Sequence, residues 1–197
     1  MKQEQLNELL YQALETELGG VQIYEAAVRC AINDELKEEW EKYLEQTRNH
    51  VQIIHDVLSD LDLDPQTETP GRKVVRHIGE SLVEAIEMAR SNGEPEAAQL
   101  VAAEAVVLAE TKDHQNWHLI GEAAAKAKSD TAEVLQEAHD QVEDDEDEHL
   151  YHTMGWAREL WMESLGMKAV LPPPEEVKNV KSAIGAARAQ HARGDMM

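Results

Sequence analysis

The chain has 197 residues, with 18 Lys+Arg against 40 Asp+Glu, and so a formal net charge of −22. That acidity argues against nucleic acid and anionic membrane surfaces as partners, since both bind basic faces, and it suits the attraction of cations. A single cysteine, Cys30, excludes an intramolecular disulfide, the start MKQEQLNELL carries no signal-like apolar run, and no stretch approaches the ~18 apolar residues of a membrane span. A cytoplasmic protein is expected.

Ala, Glu, Leu, Gln and Lys dominate, and alternating Val/Ile/Thr runs are missing, which predicts an all-α fold. The first helix is expected over residues 4–32 and the second over 34–61, with Asn33–Asp34 as break and N-cap. A connection over 62–96 holds Pro65, Pro70–Gly71 and Gly93–Pro95; within it, Ile78, Leu82, Ala85 and Ile86 predict one short helix over 77–90. The third long helix is expected over 95–128, and Ser129–Asp130 is predicted to cap a fourth that reaches about residue 165. Gly166 and Leu171-Pro172-Pro173-Pro174 then divide a domain over 1–168 from a tail over 169–197 with a weak helix. The tail's cations, Lys178, Lys181, Arg188 and Arg193, suit either a solvated end or docking on the acidic body of its own or a neighbouring chain. Tight turns at 33–34 and 129–130 pair the four long helices into two antiparallel hairpins, and the connection between them is long enough to run the length of a ~45 Å helix.

Each long helix has a stripe that should be apolar throughout, and each stripe is interrupted near its middle by metal-ligand residue types. On the first, Glu17 follows Leu6, Leu10 and Ala13 and precedes Val21 and Tyr24; on the second, Thr47 and His50 lie between Tyr43 and Ile54. On the third, Glu110 and His114 lie between Val107 and Trp117; on the fourth, Glu146 and His149 lie between Val142 and Trp156. A buried carboxylate or imidazole is costly unless it is paired, hydrogen-bonded or bound to metal. Depth links the four interruptions. In an antiparallel hairpin, residues equidistant from the turn share a level, and the midpoints of 17 and 50 and of 110 and 149 fall on the two turns. Both sets are therefore expected near mid-height. Carboxylates with one imidazole per ion suit two divalent first-row ions such as iron or manganese. Glu146-Asp147-Glu148-His149 is a Glu-x-x-His that puts both ligands on one helix face.

These residues resemble the ferritin-like di-iron superfamily, as in bacterioferritins and rubrerythrins, over about residues 4–165. The pattern there is Glu on helix one, Glu-x-x-His on helix two, Glu on helix three and Glu-x-x-His on helix four. Glu17, His50, Glu110 and the Glu146/His149 pair match it, and Tyr24 matches a tyrosine often found near such centres. The resemblance implies an antiparallel four-helix bundle with one long crossover containing a short helix, and two metal ions reacting with oxygen or peroxide. It also implies a homodimer or larger homo-oligomer. The helix-two Glu would stand at position 47, where this sequence has Thr47; His114, one turn after Glu110, is an extra potential ligand. Thr47 leaves a second reading open, a non-catalytic ferritin-like scaffold or interaction protein whose centre has become a hydrogen-bonded polar layer. The pair His114/His118 is of the kind seen in hemerythrin-like oxygen carriers, but the accompanying His-x-x-x-Glu is missing, since Ile54 follows His50 and Ser59 follows His55. Of the six consecutive acids Glu143 to Glu148, four are expected in solvent; His152 could orient a ligand or relay protons.

Overall fold

The computed structural model describes residues 1–128 and 130–196. Among these residues the chain is all-α. The helices are α1 (Gln3–Val28), α2 (Asp34–Asp60), α3 (Pro70–Asn92), α4 (Pro95–Ala124), α5 (Asp130–Ser164), α6 (Pro174–Val177) and α7 (Ala183–Ala192), with a closing 3₁₀ turn at Arg193–Met196. No helix among the described residues is long and apolar enough to cross a membrane.

Helix ends follow local chemistry. The Asn33 side chain accepts from the Leu36 amide at 3.0 Å and starts α2 as the sequence predicts. On α4, the Gln99 side-chain Oε1 accepts from the amides of both Ile32 and Asn33 at 2.8 Å, which ties down the turn after α1. That helix stops at Val28 rather than at residue 32. α3 is longer than expected, because Pro70 opens it instead of breaking the chain. The Thr69 hydroxyl caps the Arg72 amide at 3.0 Å, and proline in the first turn lacks only an N–H that had no helical acceptor. The Ser129 cap lies outside the described residues.

α1 packs on α2, α3 and α4, and α5 packs on α2 and α4, so α1, α2, α5 and α4 form a closed ring of neighbours. Side-chain contacts set the directions. Glu17 with His50 and Glu25 with Arg48 make α2 antiparallel to α1, and Glu39 with His152 and His50 with Asp145 make it antiparallel to α5. Trp117 with Glu17 and Gln99 with Ile32 do the same for α4 and α1. α3 runs alongside α1 in the same direction: Arg72 and Arg76 grip the buried Glu15 at 2.6 Å, and Arg29 meets Glu87 at 2.6 Å. It carries the chain from the end of α2 back to the end where α4 starts.

The apolar core is in two parts. One joins Tyr24, Trp40, Tyr43, Val106 and Trp156, and the other joins Leu10, Leu14, Ile54, Leu58, Trp117 and Val142. On every helix of the ring, buried polar residues lie between the two parts.

The tail docks on its own chain. Glu159 on α5, fully buried, accepts from Arg158 at 2.9 Å, Arg193 at 2.7 Å and the Val170 amide at 2.8 Å. Burial alone would raise the pKa of this carboxyl, but those hydrogen bonds reverse the effect and hold it below the ordinary carboxylate range. Arg158 also forks onto Glu175, at 2.7 and 2.8 Å. Lys181 lies 3.6 Å from Asp144. Of the two readings of the tail, docking on the acidic body of the same chain is the one seen, through Lys181 and Arg193.

Candidate metal centre

Between the two halves of the core lie Glu17, Thr47, His50, Glu110, Asp113, Glu146 and His149, each buried to 4% exposure or less. One helical turn of each ring helix supplies them, because residues three apart share a helix face. His50 Nδ1 lies 3.1 Å from Glu146 Oε1 and 3.6 Å from Glu17 Oε1. His149 Nδ1 lies 3.6 Å from Glu110 Oε2 and 3.8 Å from Glu146 Oε1. Ligand atoms of Glu17, His50 and Glu146 lie within 4.8 Å of one another, as do those of Glu110, Glu146 and His149. Either triad could hold a metal ion, and Glu146 belongs to both.

The outward nitrogens of the two imidazoles are anchored. His50 Nε2 faces Asp145 Oδ2 at 3.3 Å, and His149 Nε2 faces the Gln46 side-chain Oε1 at 3.1 Å. Gln46 in turn donates to the other Asp145 oxygen at 2.7 Å, so one outer chain fixes both rings. Both outer partners are acceptors. Each Nε2 therefore donates outward, and a neutral imidazole in this orientation presents the Nδ1 lone pair to the carboxylates, as a metal-ligating histidine does. Neither Nδ1 has a hydrogen-bond partner among the described residues, nor do Glu17 Oε2, Glu110 Oε2, Glu146 Oε2 and Asp113 Oδ1. Trp117 Nε1 donates to Glu17 Oε1 at 2.7 Å and sets that carboxylate's orientation.

Burial raises the pKa of Glu17, Asp113 and Glu146 well above the carboxylate range, and the neighbouring carboxylates push in the same direction. A layer of this kind takes up protons or a cation. Tyr24, also fully buried, has its ring 6.0 Å from that of His149. Burial first, and then the nearby Glu110 carboxylate, raise its pKa well above the usual phenol value.

Of the six metal ligands expected from sequence, Glu17, His50, Glu110, Glu146 and His149 come together and His114 does not. Its side chain is 30% exposed and turns away to Asp147, with Nε2 2.8 Å from Oδ1. The hydrogen bond that His114 donates to the Asp147 carboxylate outweighs partial burial and raises the imidazole's pKa. The stripe on α4 passes through position 113 rather than 114. Asp113 is the residue that sequence reasoning missed, although its place three after Glu110 was a readable signal. The acidic run is also less solvated than expected. Only Glu143 and Asp144 are exposed; Asp145 and Asp147 bind His50 and His114, and Glu148 pairs with Lys42.

A further group, Glu39, Glu148 and His152, also has ligand atoms within 4.8 Å. Its donors are already occupied: His152 Nδ1 meets Glu39 at 3.1 Å, its Nε2 meets the Val180 carbonyl at 3.1 Å, and Lys42 meets Glu148. His152 thus links α2 to the tail.

No protein-family model matches the chain, and no curated protein or solved structure is significantly similar to it.

Proposed function

We propose that the protein is a ferritin-like four-helix bundle, with α3 as the crossover, that binds two divalent first-row ions, iron or manganese, in the layer that divides its core. The observation that carries this reading is the pair of buried Glu/His triads sharing Glu146, with both Nδ1 atoms and several carboxylate oxygens lacking a hydrogen-bond partner among the described residues. Burying such atoms without a cation costs several kcal/mol per charged group, which a bound ion offsets. Glu17 and His50 would hold one ion, Glu110 and His149 the other, and Glu146 both. Ions of this kind supply redox chemistry toward dioxygen or peroxide. The chain excludes water from them with Trp117 below and Tyr24 and Tyr43 above, and Tyr24 offers a phenol next to Glu110. A homodimer or larger assembly is part of the same reading.

Thr47 favours a second reading, a scaffold whose layer is only polar. Metal content per chain, measured by elemental analysis on untagged protein purified without chelator, decides between them. Near two equivalents of iron or manganese support the centre, whereas none after anaerobic reconstitution ends that reading. Replacing Glu110 by Leu together with His149 by Met adds a check. Stabilisation with no change in bound metal would favour the scaffold.

A further inference from the structure

We propose that the cleft between α1, α3 and α4 binds an aliphatic carboxylate of medium chain length, with its hydrocarbon between Ile78 and Leu108 and its carboxylate on the Lys112 amine. The cleft uses other faces of α1 and α4 than the polar layer, and the proposal does not depend on the metal-binding reading.

The cleft has a volume of about 230 Å³. Ile23, Val75, Leu82 and Ala109 line it, together with Ile78 from α3 and Leu108 from α4. Gly19 and Gly79 also line it, where α1 and α3 meet so closely that a Cβ on Gly79 would stand 3.5 Å from the Gly19 Cα. Neither glycine sends a side chain into the space. Ile78 and Leu108 are 54% and 61% exposed, so water wets both of them when the cleft is empty of hydrocarbon. A chain laid between them would take that surface out of water. The volume is about one and a half times the ~150 Å³ of a cavity that holds benzene, which suits a chain on the order of eight carbons.

Polar groups gather at one end. Arg72 and Arg76 each meet the Glu15 carboxylate at 2.6 Å, and Asn116 donates to the Thr16 hydroxyl at 3.0 Å. The half-buried Lys112 reaches the same level, its amine donating to the Asn116 side-chain oxygen. Ile23 and Leu82 lie farther along, beyond the contact of Gly19 with Gly79.

The charge at that end selects the ligand. Glu15 is satisfied by its two arginines. Lys112 has no carboxylate within ion-pair distance among the described residues, and Asp113, next in sequence, acts on it from farther away. An ammonium carries three protons, and Asn116 takes one, which leaves two for an anion. Apolar walls with a cation at one end match a carboxylate on a hydrocarbon chain. A neutral chain would leave the ammonium unpaired, and a cationic one would be repelled by it. The net charge of −22 does not prevent anion binding here, because charges beyond about 10 Å are screened at 0.1 M salt and Arg72 and Arg76 stand beside this end.

The test is isothermal titration calorimetry of octanoate into the full chain, with 1-octanol and octyltrimethylammonium as comparators, in EDTA and again with Mn²⁺. One octanoate is expected to bind per chain, with equal affinity in both conditions. Each methylene removed from the acid should weaken binding about fourfold. Octanol should bind at least about tenfold more weakly than octanoate, and the cation weaker still. Lys112→Gln should bring octanoate down to the affinity of octanol. Ile78→Glu, at an exposed position where the fold is not at risk, should abolish binding. Octanol binding as tightly as octanoate, an unchanged affinity in either variant, or no binding at millimolar octanoate would each overturn the proposal. Binding that appears only with Mn²⁺ would also overturn it, by placing the carboxylate on the metal instead, and would leave the metal-binding reading standing.

Discussion

Glu146→Gln separates a metal ligand from a structural acid, because the two roles predict opposite signs in the metal-free protein. Glu146 is 1% exposed, its Oε2 has no partner, and burial followed by the Glu110, Asp145 and Asp147 charges raises its pKa. A carboxyl whose folded pKa lies above its unfolded one binds its proton more tightly in the folded state. The metal-free protein therefore loses stability as pH rises through that folded pKa, and it is not weakened by mild acid above the unfolded value of about 4.3. An unpaired buried charge costs several kcal/mol, and relaxation and proton sharing among the neighbouring acids reduce this to about 2 kcal/mol. Gln removes the charge and keeps the shape. In EDTA-treated protein at pH 8, urea unfolding followed by circular dichroism should show Glu146→Gln more stable by about 2 kcal/mol, or roughly 4–8 °C in Tm for a chain of this size. The gain should shrink as the pH is lowered, because the raised pKa lets the wild-type carboxyl take up its proton. With Mn²⁺ at a hundred times its Kd the order should reverse, since the wild type gains about 2.7 kcal/mol per bound ion and the variant loses ligands to both sites. A variant less stable than wild type by the same amount with and without Mn²⁺ would refute the reasoning and make Glu146 an ordinary satisfied acid.

Three further outcomes are expected. His114→Ala should leave bound metal unchanged by elemental analysis, because His114 turns to Asp147 outside the layer; loss of an equivalent would return it to the ligand set. Tyr24→Phe should leave metal content unchanged and slow the reaction of the iron-loaded protein with peroxide, followed by stopped-flow absorbance; an unchanged rate removes Tyr24 from the chemistry. Arg193→Ala should loosen the tail, since Glu159 then keeps Arg158 and the Val170 amide, while the Arg158–Glu175 fork and the His152–Val180 contact remain. The expected loss is about 1–3 kcal/mol, below the 3–5 kcal/mol of a fully broken buried pair, with faster limited proteolysis over 168–182; unaltered proteolysis would show that the tail is held without it.

Much of the layer was legible before any coordinates, because helical spacing and distance from a turn are both properties of residue number. Glu17 with His50, and Glu110 with His149, share a level for that reason alone. The error at His114 has the same origin. A straight count of four residues from Glu110 lands on 114, a count of three lands on 113, and at 3.6 residues per turn only the packing of α4 against its neighbours chooses between them. Pro70 was misread because proline looks the same in sequence whether it ends a helix or opens one; Thr69 before it was the signal for opening. The outer chain from His50 through Asp145 and Gln46 to His149 had no sequence signal, since each link joins residues about a hundred positions apart.

By itself the sequence determined the all-α class, the depth of the polar interruptions and five of the residues that meet there. Composition and periodicity are local properties, and a hairpin converts position along the chain directly into height. Tertiary structure alone decided that the polar residues form one layer splitting the core, that Asp113 rather than His114 faces it, and that both Nδ1 atoms point inward. It also decided that the basic tail folds back onto Glu159. Those outcomes depend on the rotation of each helix about its axis and on which neighbour satisfies each buried polar atom, and such choices are made only when the helices pack.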